Sequence, residues 1–277
     1  MAQLRHLAIA VPDAEATAVF YEKVFGMERT GQREGPASQN IFLSDGLINF
    51  AVIDFKEDAA AGVEGGKDFI GPHHLGFWVD DLDATAGKIV ENGGAPLATG
   101  GAGSGAPRPA GNDTEKFRDL MGIELDVSRT GWAGARREPD QAKPQPGTRL
   151  RHMAITVNGA DATATFYEKS FGVRRMAQEA TPTADAIFLA DGVVNLAILD
   201  FKKDGPPGAK GKDYVGVHHF GFWVDDLDAT AALIEANGGK ASDAMPAAHG
   251  QQNYEVKFLD PNGIMIDLSH TGWVGSK

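Results

Sequence analysis

The chain has 277 residues, 42% hydrophobic and 23% charged, with a formal net charge of −12 and no cysteine. This length suggests about two domains, and the balance is that of an ordinary globular protein. Such acidity makes phosphate backbones and anionic lipid poor partners, and the lack of cysteine excludes disulfides, thiolate metal ligands and cysteine nucleophiles. The N-terminal run MAQLRHLAIAVPDAEA is too short in apolar residues for a signal peptide, and no stretch of about 18 apolar residues occurs, so a cytoplasmic location is expected.

In chain order, LRHLAIAV (4–11) alternates as a half-buried strand does, and PDAEATAVFYEKVFG (12–26) carries apolar residues at helical spacing. QNIFLSD (39–45) and GLINFAVID (46–54) read as strands, and a Gly/Ala/Lys loop (56–72) follows. HHLGFWV (73–79) opens a second round as a strand. DDLDATAGKIVENGG (80–94) is then a helix, with Asp80, Asp81 and Asp83 in its first turn and Gly93-Gly94 at its end. EKFRDLM (115–121) and GIELDVSR (122–129) close the round as strands.

The whole pattern then repeats. LRHMAITV (150–157), FYEKSFG (166–172), IFLADGVVNLAILDFK (187–202) and HHFGFWVDDLDAT (218–230) restate segments of the first half, the last with one difference in thirteen positions, and TGW occurs at 130–132 and 271–273. The chain is a tandem duplication whose halves each split again into two β-α-β-β-β rounds. The predicted organisation is a first domain at 1–133, a Pro/Gly- and charge-rich linker at 134–148 (GARREPDQAKPQPGT) and a second domain at 149–277. One such round leaves a sheet face bare, so rounds must pair. Pairing within a copy, between copies or between chains is left open, as are monomer and homodimer.

Histidines fall at matched places. His6 and His74 each lie five residues before the valine that ends their strand, and His152 and His219 do the same in the second copy. Paired rounds bring such imidazoles together on one concave face, and imidazole suits Fe(II), Mn(II), Zn and Ni. The acid common to both copies is Asp126 and Asp267, in GIELDVSR and GIMIDLSH; Glu124 is replaced by Met265. The expected centres are therefore His6, His74 and Asp126, and His152, His219 and Asp267. By strand alternation His73 and His218 fall on the opposite face, as packing groups or as partners that support the ligands. GGAGSGAP (100–107) lacks a following Lys-Ser/Thr and is no phosphate loop. Trp78, Trp132, Trp223 and Trp273 read as core or wall residues, and Tyr21 and Tyr167 as helix residues packed on a sheet.

The motifs LRHxAIxV…FYEKxFG, HHxGFWVDDLD and VKFLDPNGIMIDLS resemble the vicinal oxygen chelate superfamily, which includes glyoxalase I, extradiol dioxygenases, methylmalonyl-CoA epimerase and fosfomycin-resistance proteins. The resemblance covers nearly the whole chain. It implies an α+β fold in which four βαβββ modules pair into two cup-shaped domains, each holding a divalent metal on the residues above. The family's usual last ligand is Glu, one methylene longer than the Asp present here. A fourth ligand, where the family uses one, falls by spacing on Phe50 and Leu196; Asn49 and Asn195 serve only if the register slips by one.

The stretch from His249 to Asp267 resembles the extradiol dioxygenase signature, with Lys257 in place of a Tyr and Asp267 in place of the Glu. It implies His249 as the acid/base residue, and with no counterpart in the first copy it makes the second copy the better catalytic site. Tyr254, Lys257 and Asn195 are assigned to substrate binding. The first functional expectation is an Fe(II)- or Mn(II)-dependent dioxygenase acting on a small oxygenated or aromatic compound. The second is a glyoxalase-type lyase, isomerase or epimerase that uses a divalent metal, Zn or Ni included, as Lewis acid; the missing fourth acid counts against it. The third is a non-catalytic small-molecule binding or resistance protein.

Overall fold

The computed structural model describes residues 1–97, 113–138, 147–204, 211–242 and 255–277. The first round forms β1 (Gln3–Ala10), α1 (Ala14–Phe25), β2 (Glu28–Glu34), β3 (Ser38–Ser44) and β4 (Asn49–Phe55). A short α2 (Asp58–Ala61) occupies the loop read as irregular, and the second round follows as β5 (Gly71–Trp78), α3 (Leu82–Glu91), β6 (Ala95–Pro96), β7 (Thr114–Arg118) and β8 (Glu124–Ser128). The second copy supplies β9 (Arg149–Thr156), α4 (Ala160–Phe171), β10 (Arg174–Ala180), β11 (Ala184–Ala190), β12 (Asn195–Phe201), β13 (Gly216–Trp223), α5 (Leu227–Ala236), β14 (Lys240–Ala241), β15 (Val256–Leu259) and β16 (Met265–Ser269).

Helix starts follow their caps. Asp13 accepts from the Ala16 N–H, Asp81 from Ala84 and Asp226 from Ala229, each satisfying a first-turn donor that has no partner within its helix. α1 and α4 end on Gly26 and Gly172 at φ 64° and 73°, the left-handed conformation that glycine adopts at low cost.

Each copy makes one eight-stranded sheet, in the order β2-β3-β4-β1-β5-β8-β7-β6 and its equivalent β10-β11-β12-β9-β13-β16-β15-β14. The rounds thus pair within a copy, through the antiparallel contact of β1 with β5 and of β9 with β13.

The copies share one hydrophobic core. Phe25 on α1 stacks on Phe222 of the other copy's β13, and Phe77 on Phe171, both at 3.9 Å between ring centres. Tyr21 packs on Phe50 of its own sheet and on Phe220 and Phe222 of the other. Its hydroxyl donates to Asp260, and Tyr167 donates in the same way to Asp119. The aspartate of the DPNG turn therefore serves the contact between copies: its other oxygen accepts the N–H groups of Asn262 and Ile264.

Two buried ion pairs lock the same contact. Arg5 donates to Asp191 and Arg151 to Asp45, each at 2.6 Å. No helix among the described residues is long and apolar enough to cross a membrane.

Candidate metal centre

The site is one row of residues running across five strands. Along β4-β1-β5-β8-β7 the register sets Asn49 beside His6, His6 beside Gly76, Gly76 beside Asp126 and Asp126 beside Lys116. The second copy repeats it as Asn195, His152, Gly221, Asp267 and Lys257. In-register neighbours project from the same face, so the row fills one side of each sheet. Glycine sits where the row must be hollow. A Cβ on Gly76 would lie 2.7 Å from the His6 Cβ and 2.8 Å from Trp132, and one on Gly221 would lie 2.7 Å from Trp273 and 3.1 Å from the Asp267 Cβ. His74 and His219 enter the hollow from two residues back along β5 and β13.

His6 Nε2 stands 3.1 Å from His74 Nε2, which is 3.6 Å from Asp126 Oδ2; in the second copy the corresponding distances are 3.2 Å and 3.3 Å. All six residues are buried. The ligand-type atoms of each trio lie within 4.8 Å of one another.

Hydrogen bonds settle which nitrogens carry protons. Asn49 Nδ2 donates to Ala133 O, so its Oδ1 faces His6 and requires the proton on Nδ1. His73 Nε2 donates to Ala61 O, so its Nδ1 accepts from His74 Nδ1 at 2.7 Å. Both Nε2 atoms are left with lone pairs pointing at each other, an arrangement that is repulsive without a cation. Two nitrogens on one metal at about 2.1 Å each stand about 3.0–3.4 Å apart for angles between 90° and 109°, and the observed separations fall in that range. Asp267 Oδ1 is buried without a hydrogen-bond partner, as a carboxylate short of one ligand would be. The residues present fit a divalent metal.

Burial lowers the His6 pKa to about 4, outweighing the pull of Asp126. Burial likewise lowers His74, His152 and His219. Unfolded histidine titrates near 6.5, so the metal-free protein binds fewer protons folded than unfolded between that value and about 4. The stability the His6 ring confers is fully present above pH 6.5 and is lost as pH falls through that window, and the other three rings act in the same direction. Each ring contributes a slope of up to about 1.4 kcal/mol per pH unit. Urea titrations of the chelated protein at pH 7.5 and 5 are expected to show this loss; equal midpoints would contradict it.

Lys116 and Lys257 complete the rows. Burial alone would lower the Lys116 ammonium, but Asp126 and Glu124 outweigh it and hold it above its ordinary value. It donates to Asp126 Oδ1 at 2.8 Å and to Glu124 at 2.5 Å, leaving Asp126 Oδ2 towards His74. Lys257, held charged in the same way by Asp267 and Glu255, donates to Asp267 at 2.5 Å and to Glu255 at 3.2 Å. Trp132 and Trp273 stack on His6 and His152 at 4.8 Å, as cup-wall residues. Trp78 and Trp223 lie instead under the guanidinium groups of Arg137 and Arg149.

Several residues stand differently from the sequence expectation. His73 and His218 do not face away: the pairing of β1 with β5 and of β9 with β13 shifts register there, and the bulge turns each ring onto the next histidine. Asn195 stands behind His152, its oxygen accepting from Nδ1 and its amide donating to Val274 O, the place of an orienting group rather than of a substrate contact. Lys257 is spent on two carboxylates. Phe50 and Leu196, the positions that spacing gives for a fourth ligand, are buried in the core, and the asparagines beside them face the histidines. His249 and Tyr254 lie outside the described residues. Within those residues the two rows are equally complete. Lys116 and Glu255 were missed; Lys116 carried a signal, since lysine holds the same position in both copies.

Loss of an outer partner that orients a metal-binding imidazole typically weakens the metal about 10–100-fold. Asn195→Ala is expected to weaken Mn(II) in the second copy by that factor; unchanged affinity would contradict the orienting role.

The Glyoxalase/Bleomycin resistance protein/Dioxygenase superfamily model matches residues 3–126 and 149–268. The chain belongs to that superfamily. Among solved structures, a variant of 4-hydroxymandelate synthase from Streptomyces coelicolor is similar, with TM-score 0.69 and 15% identity over 99% of this chain and 95% of that one. A 2,3-dioxygenase from Pseudomonas sp. KL28 matches with TM-score 0.69 and 14% identity over 98% and 93%. At such identity these superfamily structures share the fold. The probable chloroplastic lactoylglutathione lyase of Arabidopsis thaliana is 25% identical over a 136-residue alignment that covers 45% of this chain and 36% of that protein.

Proposed function

We propose that the chain is a divalent-metal-dependent enzyme in which His6, His74 and Asp126, and His152, His219 and Asp267, are the ligand sets, and that it is an extradiol-type dioxygenase acting on a small oxygenated or aromatic compound. The observation that carries this reading is the pair of opposed, unprotonated Nε2 atoms beside one carboxylate in the first copy, with the same ring nitrogens and carboxylate set together in the second. A two-histidine, one-carboxylate face suits Fe(II) or Mn(II). The bound metal would supply open positions for a chelating substrate and for O₂.

The remaining work falls to the chain. Asn49 and Asn195 hold one imidazole of each centre, and His73 and His218 the other. Lys116 and Lys257 hold one oxygen of each aspartate, so that a single oxygen serves as ligand in the first copy, and they offset the aspartate's charge, which favours an anionic chelating substrate. Trp132 and Trp273 keep water from one side. His249 remains the proposed proton-transfer residue and Tyr254 a proposed substrate contact.

A second reading, a lyase or isomerase, is favoured by Glu124. This carboxylate stands 3.9 Å from His74 Nδ1 and is held by Lys116, supplying near the first centre the base whose absence told against that chemistry. The local similarity to the lactoylglutathione lyase points the same way. Anaerobically prepared Fe(II) protein is to be assayed for O₂ uptake with catechols and hydroquinones, in parallel with solvent-deuterium incorporation into α-hydroxycarbonyl compounds. Uptake with ring cleavage supports the first reading, and incorporation without uptake replaces it with the second.

A further inference from the structure

His74 turns its two ring nitrogens to two different groups of ligand atoms. Nε2 faces His6 and Asp126. Nδ1 faces His73 Nδ1 at 2.7 Å and Glu124 Oε1 at 3.9 Å, and the ligand-type atoms of His73, His74 and Glu124 also lie within 4.8 Å of one another. His73 Nδ1 already carries a lone pair, because its Nε2 proton is held by Ala61 O. Two of the three, His73 and Glu124, line one side of a cleft of about 410 Å³ between the copies, with Tyr214 and Val217 on the other. The cleft gives an ion access and room for water ligands. The second copy has His218 beside His219 at the same 2.7 Å, but Met265 replaces Glu124, and Met265 offers no carboxylate.

We propose that the first copy holds a second divalent ion on His73, Glu124 and the outer nitrogen of His74, so that His74 bridges two ions and the chain carries an asymmetric complement of two ions in the first copy and one in the second. This rests on the reading of His6, His74 and Asp126 as a metal centre. The proton on His74 Nδ1 leaves to solvent as the second ion binds, the His73 and His74 Nδ1 atoms part from their hydrogen-bonded 2.7 Å to the wider spacing of two ligands on one ion, and Lys116 gives up Glu124 while keeping Asp126. Two imidazole nitrogens and one carboxylate suit Cu(II) or Zn(II), and an ion on each side makes the bridging ring acidic enough to lose that proton.

The test uses untagged full-length protein loaded with excess Cu(II) and desalted. Elemental analysis is expected to give three ions per chain, with an EPR intensity short of the total copper because two ions couple through the shared ring. Glu124→Met, which copies the second half, is expected to hold two ions at full EPR intensity, with an unchanged circular dichroism spectrum. Glu124→Gln, nearly identical in shape, should behave in the same way and removes any concern over folding. Two ions in the unaltered chain, or a third that is uncoupled or survives both substitutions, would overturn the inference and leave the two principal centres standing. No bound ion at all would overturn both.

Discussion

Asp191→Ala is expected to lower the free energy of unfolding by about 3–5 kcal/mol, the usual cost of removing one partner from a buried pair. Both side chains of the Arg5–Asp191 pair are fully buried. Asp191 accepts four hydrogen bonds, from the N–H groups of Val193 and Val194 in its own turn and from Leu4 N and Arg5 Nη1 of the other copy. Alanine leaves the Arg5 charge buried, with backbone carbonyls of Leu4, Arg136 and Arg137 as its remaining partners. Urea unfolding measures the effect. Adding Arg5→Met to the variant is expected to recover part of the loss, because the stranded charge goes with it. A single-variant loss below about 1 kcal/mol would contradict the assignment. Asp45, which serves Leu47, Ile48, Leu150 and Arg151 in the mirrored arrangement, should give a similar value.

His219→Ala is expected to abolish tight divalent-metal binding in the second copy while leaving the first copy's principal centre intact. Removing an outer partner costs about 10–100-fold in affinity, and removing a ligand costs more, since alanine offers no donor and two of the three original groups remain. The first copy draws its ligands from its own sheet, so its ion should be unaffected. Mn(II) titration followed by EPR should show both principal centres as tight sites in the unaltered chain and only the first copy's in the variant. Two sites of unchanged affinity would remove His219 from the ligand set.

Much of this was legible in the residues. Duplication marked the histidines and aspartates because each recurs in step with its strand, and the same logic applied to lysine would have exposed Lys116 beside Lys257. The edge strands β2 and β10 escaped notice because ERTGQRE and RRMAQEA lack apolar alternation: an outermost strand with two wet faces needs none. Strand alternation sent His73 and His218 to the wrong face, because a bulge is a backbone event that the side-chain pattern does not record. The Tyr21–Asp260 and Tyr167–Asp119 bonds were invisible for another reason: they depend on how two whole sheets dock. Glu255 had no duplicate to flag it, since Thr114 holds its place in the first copy.

The rows across β4-β1-β5-β8-β7 and β12-β9-β13-β16-β15 are together the central structural claim, because each sets two histidine Nε2 atoms and a carboxylate around one point, with both lone pairs turned to it in the first copy. Crystals grown anaerobically with Mn(II) test it through anomalous diffraction at the manganese edge. A peak bonded to His6 Nε2, His74 Nε2 and Asp126, with another bonded to His152 Nε2, His219 Nε2 and Asp267, is the predicted result. Maps without a peak at either trio, in crystals whose imidazoles are arranged as described, would contradict it.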